Sequence, residues 1–520
     1  MDDLINGDDA ILIASSPSFC GDVPMYFKRK SNVIFRSYES FGYITDNRDF
    51  GYRNANHRGK DIGDKIISQS GAVFLSALGQ TAQELVDIAN KIRVHFPSID
   101  TKTIINDASE FYGQLEKDGF VISGETPQEC EEKDVRFSYN FFEPGNEADN
   151  RGRDANCNKK STQEFFDEYF NGEPRLTALH IEITSKCNER CVHCYLPHDN
   201  KTSHIEADLL YNILEQCREM KLLHVTLTGG EPMLHRNFLD FLKRCREYNL
   251  SVNVLSNLTL LTDEIVEEMK TNHLLGVQVS LYSMDPKIHD AITRMNGSFE
   301  TTQKAILTLK ESDVPLEISC PILKQNKNSH KDVVAWAKAR NIRIGCDYAI
   351  IAGCDHTTQN LESRLSTNDV KEVICDKIAN EPEYLKLLET EAEKKKNDKP
   401  DDIVCSVCHS SICIADNGNV YPCAGWQSYV VGNIKETSLK DIWYNSKPVQ
   451  HLRNLRKRDF SKCIQCPEKD YCTMCMVRNA NEHPSGNPLA VNEYYCNIAK
   501  INKDMAQNKR IILPMRSGHD

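Results

Sequence analysis

The run LHIEITSKCNERCVHCY, Leu179–Tyr195, decides how this chain is read. LHIEIT is strand-like, and the loop after it sets Cys187, Cys191 and Cys194 in a C-x3-C-x2-C triplet. Iron–sulfur clusters are normally held by four Cys thiolates. Three thiolates on one loop with no close fourth partner leave one iron of a [4Fe-4S] cube open to an outside ligand. Zinc loops also use closely spaced Cys, so the triplet alone leaves both metals open.

Composition narrows the setting. A chain of 520 residues has room for two to four domains. It is 40% hydrophobic and 27% charged, as globular proteins are. No apolar run approaches the roughly 18 residues of a membrane span, and the N-terminus MDDLINGDDAILIASS lacks the basic start of a secretory signal. With 63 basic and 75 acidic residues the net charge is −12, a poor balance for gripping phosphate backbones. The basic residues Arg453, Arg456, Lys457 and Arg458 read as a solvated helix face. Nine of the 21 cysteines fall between Cys405 and Cys496, several in C-x2-C pairs. A secreted disulfide scaffold is short and spreads its cysteines, so this concentration points to metal or cluster ligation in a reducing cytoplasm.

Upstream of the decisive run, residues 1–145 read as a separate module. MYFKRKSNVIFRSYESFGYITDNRDFGYR carries short-strand patterns broken by turn formers. Helical patterns follow at about Ser68–Leu78, Ala82–Phe96 and Lys102–Lys117, the second capped by Thr81, and FVISG closes as a strand. This winged-helix-like pattern resembles the PqqD-related domains that recognise leader peptides in ribosomal-peptide maturation. The resemblance implies that a leader strand is added to a sheet edge. A DNA-binding winged helix is the alternative, and the absence of a basic recognition helix counts against it. Residues 146–174 read as a polar linker in which Cys157 is free.

Residues 175–352 alternate strand and helix patterns: LHIEIT, HVTLTGG, SVNVLSN, GVQVSLYS, PLEISCPIL and IRIGCDYAI, with helical stretches between them. Such alternation makes a parallel sheet wrapped by helices, short of the eight units of a closed barrel. The triplet followed by Tyr195 resembles the signature of the radical S-adenosylmethionine (SAM) enzymes, and the resemblance implies a partial (β/α)6 barrel. In that family SAM chelates the open iron and is cleaved to methionine and a 5′-deoxyadenosyl radical. Gly229, Gly230, Glu231 and Pro232 stand one βα unit later, where the family's motif engages the SAM amino group; glycine lets a ligand approach the backbone closely. By the same resemblance Asn257, Ser280 and Arg294 contact the ribose or carboxylate of SAM, although the segment holding Arg294 is longer than in many relatives.

Residues 353–520 begin polar and become cysteine-dense, an irregular region expected to be organised by clusters. The order Cys408, Gly418, Cys423, then Cys463-x2-Cys466-x5-Cys472-x2-Cys475 and Cys496 resembles the SPASM extension, which holds two auxiliary [4Fe-4S] clusters. The family usually spaces its third pair as C-x3-C, so this chain departs at Cys472 and Cys475. Carried over, Cys463, Cys466, Cys472 and Cys496 hold a distal cluster. Cys408, Cys423 and Cys475 hold a proximal one, with Cys405 as fourth ligand and Cys413 as its competitor. A double zinc ribbon also fits the pairs without explaining the triplet. Cys217, Cys245, Cys320 and Cys346 read as small buried hydrophobes.

Taken over the whole chain, the resemblance is to radical SAM/SPASM peptide maturases of the thioether-forming type. It implies an α/β enzyme, a radical SAM oxidoreductase, with SAM and three [4Fe-4S] clusters, one binding SAM and two auxiliary. Its partners would be a ribosomally made precursor peptide and an electron donor such as flavodoxin or ferredoxin, with no nucleic acid and no membrane. Carbon–carbon crosslinking, epimerisation and formylglycine-type sulfatase maturation are the enzymatic alternatives; Ala424 after Cys423, where sulfatase-type relatives carry an acid, counts against the last. An iron–sulfur or zinc interaction protein is the non-enzymatic one.

Overall fold

A computed structural model describes residues 25–46, 53–54, 64–134, 137–138, 168–198 and 202–507. Cys157 and most of the expected linker lie outside them. The strands in chain order are Tyr26–Arg29 (β1), Ile34–Ser37 (β2), Phe41–Thr45 (β3), Arg53–Asn54 (β4), Asp64–Ser68 (β5), Gln83–Glu84 (β6), Val121–Gly124 (β7) and Phe137–Ser138 (β8). There follow Ala178–Thr184 (β9), His224–Gly229 (β10), Ser251–Ser256 (β11), Leu275–Ser280 (β12), Leu316–Pro321 (β13) and Arg343–Asp347 (β14). Ser411–Ile414 (β15), Asn419–Tyr421 (β16) and Gly432–Asn433 (β17) complete the set.

By contacts the chain divides into residues 1–30 with 68–134, and residues 31–67 with 135–520. The larger unit is built on one sheet ordered β14-β13-β12-β11-β10-β9-β15-β16-β17. β9 to β14 are parallel, each joined to the next through helix, as the alternating pattern demands. Leu179, Ile181 and Ile183 are at most 1% exposed and pack towards the covering helices. Their neighbours His180, Glu182 and Thr184 therefore point to the opposite, inner face.

The C-terminal region is more regular than its composition suggests. The polar stretch forms the helices Thr367–Asn380, opened by a capping box at Ser366 and Asp369, and Pro382–Lys396. β15 pairs in parallel with the outer edge of β9, and β16 and β17 extend the sheet antiparallel. An open barrel leaves an unpaired edge on its first strand, and the apolar SICI segment covers it.

In the smaller unit, β1 lies between β6 and β7 in an antiparallel sheet. The helices Gln69–Ala77, Leu85–Arg93 and Thr101–Lys117 fall close to their sequence-based spans. Thr81 does not cap the second helix; Gln83 and Glu84 pair with β1 first, and Glu84 takes the cap position. Phe27 packs on Tyr112, whose hydroxyl donates to the Phe74 carbonyl at 2.7 Å. Residues 31–67, which the sequence places with the N-terminal module, pack in the larger unit instead. The reason is visible at Arg36 on β2: its Nε donates to Leu222 O at 2.8 Å and its Nη2 to Asn249 O at 2.7 Å.

Candidate functional site

The Cys187–Cys194 loop leaves the C-terminal end of β9, where the active sites of βα barrels collect. The glycines of β10 hold it down. A Cβ on Gly229 would stand 1.9 Å from Thr184 O, and one on Gly230 would stand 2.1 Å from Lys186 O. Those carbonyls instead accept from Gly230 N and Glu231 N, both at 2.8 Å. The glycines thus let the end of β9 and the start of the cysteine loop pack directly on the end of β10. Gly229 also sits at φ 135°, a conformation side chains rarely adopt.

Glu231 is fully buried and accepts from Met233 N at 3.0 Å, Ser256 Oγ at 2.8 Å and Asn257 N at 2.8 Å. Burial pushes its carboxyl up to about 7 against those three bonds. Pro232 opens the short 3-10 turn that follows. Asn257 Nδ2 donates to Asn188 Oδ1 within the cysteine loop at 2.9 Å. On the other flank, Arg190 N and Val192 N donate to Thr293 O and Ile292 O, each at 2.9 Å. Arg294 is the next residue, exposed and left-handed at φ 55° where its helix ends. Ser280 closes β12 and sits by Tyr282, whose hydroxyl lies 4.0 Å from Cys191 Sγ. The predicted set thus surrounds one loop, with Arg294 on its outer rim.

The thiol of Cys191 is pushed well above its ordinary range, first by burial and then by Glu189, Cys194 and Cys187. Three thiols clustered on one loop fit a site that receives an iron–sulfur cluster. Tyr195 turns inward, and its hydroxyl donates to Glu182 Oε1 at 2.8 Å, while Gln427 Nε2 donates to Glu182 Oε2 at 2.6 Å. Burial raises Glu182 to about 7. Neither Glu182 nor Gln427 was singled out from sequence; an acid at an inner-face position of an otherwise apolar strand was the available signal. Beside them opens a cavity of about 420 Å³ lined by His193, Tyr195, Gln278, Ser319, Asp347 and Ile350 among others.

The C-terminal cysteines gather in two sets. Cys463, Cys466, Cys472 and Cys496 line one cavity of about 250 Å³, the size and donor set that suit a cluster. The remaining set is electrostatically mutual: Cys405 feels Cys475 and Cys423, Cys408 feels Cys405 and Cys423, and Cys423 feels Cys475. Burial raises Cys405 to about 11 and Cys408 to about 12. Cys413, by contrast, is buried on β15 against Glu182 and then Cys423. Cys217, Cys245 and Cys320 are fully buried as expected; Cys346 is only partly so, and it stands in register with Cys320 on the neighbouring strand.

Residues 181–337 match the radical SAM superfamily, and residues 405–467 match the SPASM iron–sulfur cluster-binding domain. The first match falls on the α/β parallel sheet β9 to β14, and the second begins just before β15. The chain is 27% identical over 324 residues to the antilisterial bacteriocin subtilosin biosynthesis protein AlbA of Bacillus subtilis, covering 58% of this chain and 68% of that one. It is 26% identical over 331 residues to an AdoMet-dependent heme synthase of Methanosarcina barkeri, covering 59% and 92%. The structure of Streptococcus suis SuiB bound to precursor peptide SuiA aligns with a TM-score of 0.54 at 16% identity, over 89% of this chain and 98% of that one. No helix among the described residues is long and apolar enough to cross a membrane.

Proposed function

We propose that this radical SAM and SPASM chain matures a ribosomally made precursor peptide, joining a Cys sulfur to a carbon of the same peptide as a thioether. The cavity beside the cysteine loop carries the reading. It opens over the ends of β12 to β14 and mixes Gln278, Ser319 and Asp347 with Ala349, Ile350 and Ile351, a lining suited to both backbone and side chains of a peptide. When bound, SAM and the triplet cluster supply hydrogen-atom abstraction, and the protein supplies positioning. Cys187, Cys191 and Cys194 would hold that cluster, with Asn257, Ser280 and Arg294 around SAM. Tyr195, braced by Glu182, forms the wall between loop and cavity. The two thiol sets would hold the auxiliary clusters.

The names of AlbA and of the SuiB complex support a peptide substrate over a porphyrin. The SuiB likeness spans 89% of this chain, too much to omit the smaller unit altogether. We assign that unit to leader binding, and a flavodoxin- or ferredoxin-type donor to electron supply in the cytoplasm. A second reading, carbon–carbon crosslinking, is favoured by one observation: Cys405, Cys408, Cys423 and Cys475 together can saturate the proximal cluster, leaving a peptide thiolate no iron to bind.

The test is modification of the precursor encoded beside the gene, read by mass spectrometry. Each crosslink removes a pair of hydrogens, and a thioether also consumes one thiol reactive to iodoacetamide. Hydrogen loss with every thiol retained would replace the thioether by the carbon–carbon bond. An unmodified precursor in the presence of SAM cleavage would end the peptide reading. A leaderless core should be modified far more slowly while 5′-deoxyadenosine release persists; equal rates would remove the leader role.

A further inference from the structure

Beside Tyr195 and Cys423, the inner face of the sheet carries three further metal-ligating groups near one another. His180 and Glu182 lie two residues apart on β9 and so share a face. Cys413 on β15 is the register partner of His180, which brings its thiol to the same face. One ligand atom from each residue lies within 4.8 Å of the other two. Glu182 is 3% exposed and Cys413 0%. The Nε2 of His180 is sealed from water and has no hydrogen-bond partner, an arrangement that is unfavourable when nothing answers it.

The electrostatics point the same way. Burial lowers His180 to about 4, keeping its ring neutral and able to ligate. Burial raises Glu182 to about 7 and drives the Cys413 thiol well above its ordinary range. The groups that act on those two acids are Tyr195, Gln427, Asp416, Glu182 and Cys423, with no lysine or arginine among them. Two buried acids therefore face one another and an orphan imidazole without a cation.

We propose that His180, Glu182 and Cys413 bind a divalent cation of borderline softness, with zinc as the ion of choice. Imidazole, carboxylate and thiolate are all zinc ligands, and this mixed set suits zinc over magnesium or calcium. One thiolate and one carboxylate balance the two charges of the ion, and the neutral ring completes three protein ligands. The hydroxyl of Tyr195 and the amide of Gln427 already orient the carboxylate from outside, as second partners do in metal sites. Binding releases the thiol proton of Cys413 to solvent, and below about pH 7 that of Glu182 as well. The ion clamps β15 to β9 from the inner face. Nothing in this depends on which substrate the enzyme modifies.

The test uses the full chain with its clusters reconstituted anaerobically, then equilibrated with zinc(II) and desalted. Elemental analysis should find about one zinc per chain beside unchanged iron. Zinc-edge X-ray absorption should show a single sulfur at about 2.3 Å among nitrogen and oxygen ligands at about 2.0 Å. His180→Ala and Cys413→Ser should each bring zinc near zero while iron stays at the wild-type level. Failure of the wild type to retain zinc, or retention by both variants, overturns the site. So does an all-sulfur shell, which would place the ion on the cluster thiols. Should either variant misfold, the wild-type zinc spectrum decides alone.

Discussion

The cysteine loop at Cys187–Cys194 takes its shape from regular elements around it, whereas the segment around Cys463–Cys475 is itself built of short turns, tied to a neighbouring helix by Lys503, whose Nζ donates to Pro467 O at 2.9 Å and pairs with Glu468. Strand ends β9, β10 and β11 and a helix end all bond to the first loop. The second runs through a four-residue helix, Ser461–Ile464, and a 3-10 turn, Lys469–Tyr471, and its thiols line their own cavity. Pre-formed sites lose chemistry when ligands are removed, while sites made by their metal lose structure.

The largest effect should follow Cys187→Ala with Cys191→Ala and Cys194→Ala. SAM cleavage should fall by more than about a thousandfold, while auxiliary iron and cooperative unfolding persist. Loss of the auxiliary iron as well would break the comparison. Next stands Gly229→Ala, which brings a methyl 1.9 Å from a carbonyl at φ 135°. A cost of about 4 kcal/mol in denaturant unfolding is expected, with SAM cleavage lost through displacement of the loop; a near-neutral variant would show that the loop yields easily.

Cys463→Ala with Cys466→Ala should cost about 3 kcal/mol and roughly four irons, and should expose the segment around residue 465 to protease. SAM cleavage uncoupled from substrate should survive. A variant as protease-resistant as wild type would mean that this region, too, is held by its neighbours.

A smaller effect concerns Glu231, whose carboxyl rises from 4.5 to about 7 through burial. A folded-state acid pKa above the unfolded value gives stability that is full below about 4.5 and lost as pH rises through 7. Between pH 5.5 and 7 the loss should be about 2 kcal/mol, and Glu231→Gln should flatten that slope. An unchanged slope in the variant would assign it elsewhere. The smallest effect is expected for Arg294→Lys on the exposed rim. It should raise the KM for SAM severalfold, about 1 kcal/mol, through loss of a planar fork, with kcat and stability unmoved. An unchanged KM would remove Arg294 from the SAM site.

The parts of the site that were legible are those whose chemistry is local. The triplet, GGEP and the six strand patterns each need only a short window of sequence, and each was found where expected. That the glycines also seat the cysteine loop was not legible, because the carbonyls they pack against lie more than forty residues upstream on β9 and its loop. The regularity of residues 367–421 was hidden for a related reason: a two-turn capping signal at Ser366 and a four-residue apolar strand are weak beside a run of lysines and glutamates.

The sequence by itself determined the α/β alternation and the cysteine triplet, because backbone period and ligand spacing are properties of neighbours along the chain. Only the tertiary structure decided that β15 lies against β9 and that Cys413 lies beside Glu182. It alone brought His180, Glu182 and Cys413 together and drew residues 31–67 into the larger unit. Parallel pairing joins residues more than two hundred positions apart, and its register is settled by which edge remains open and which faces must be buried, neither of which any local stretch of sequence records.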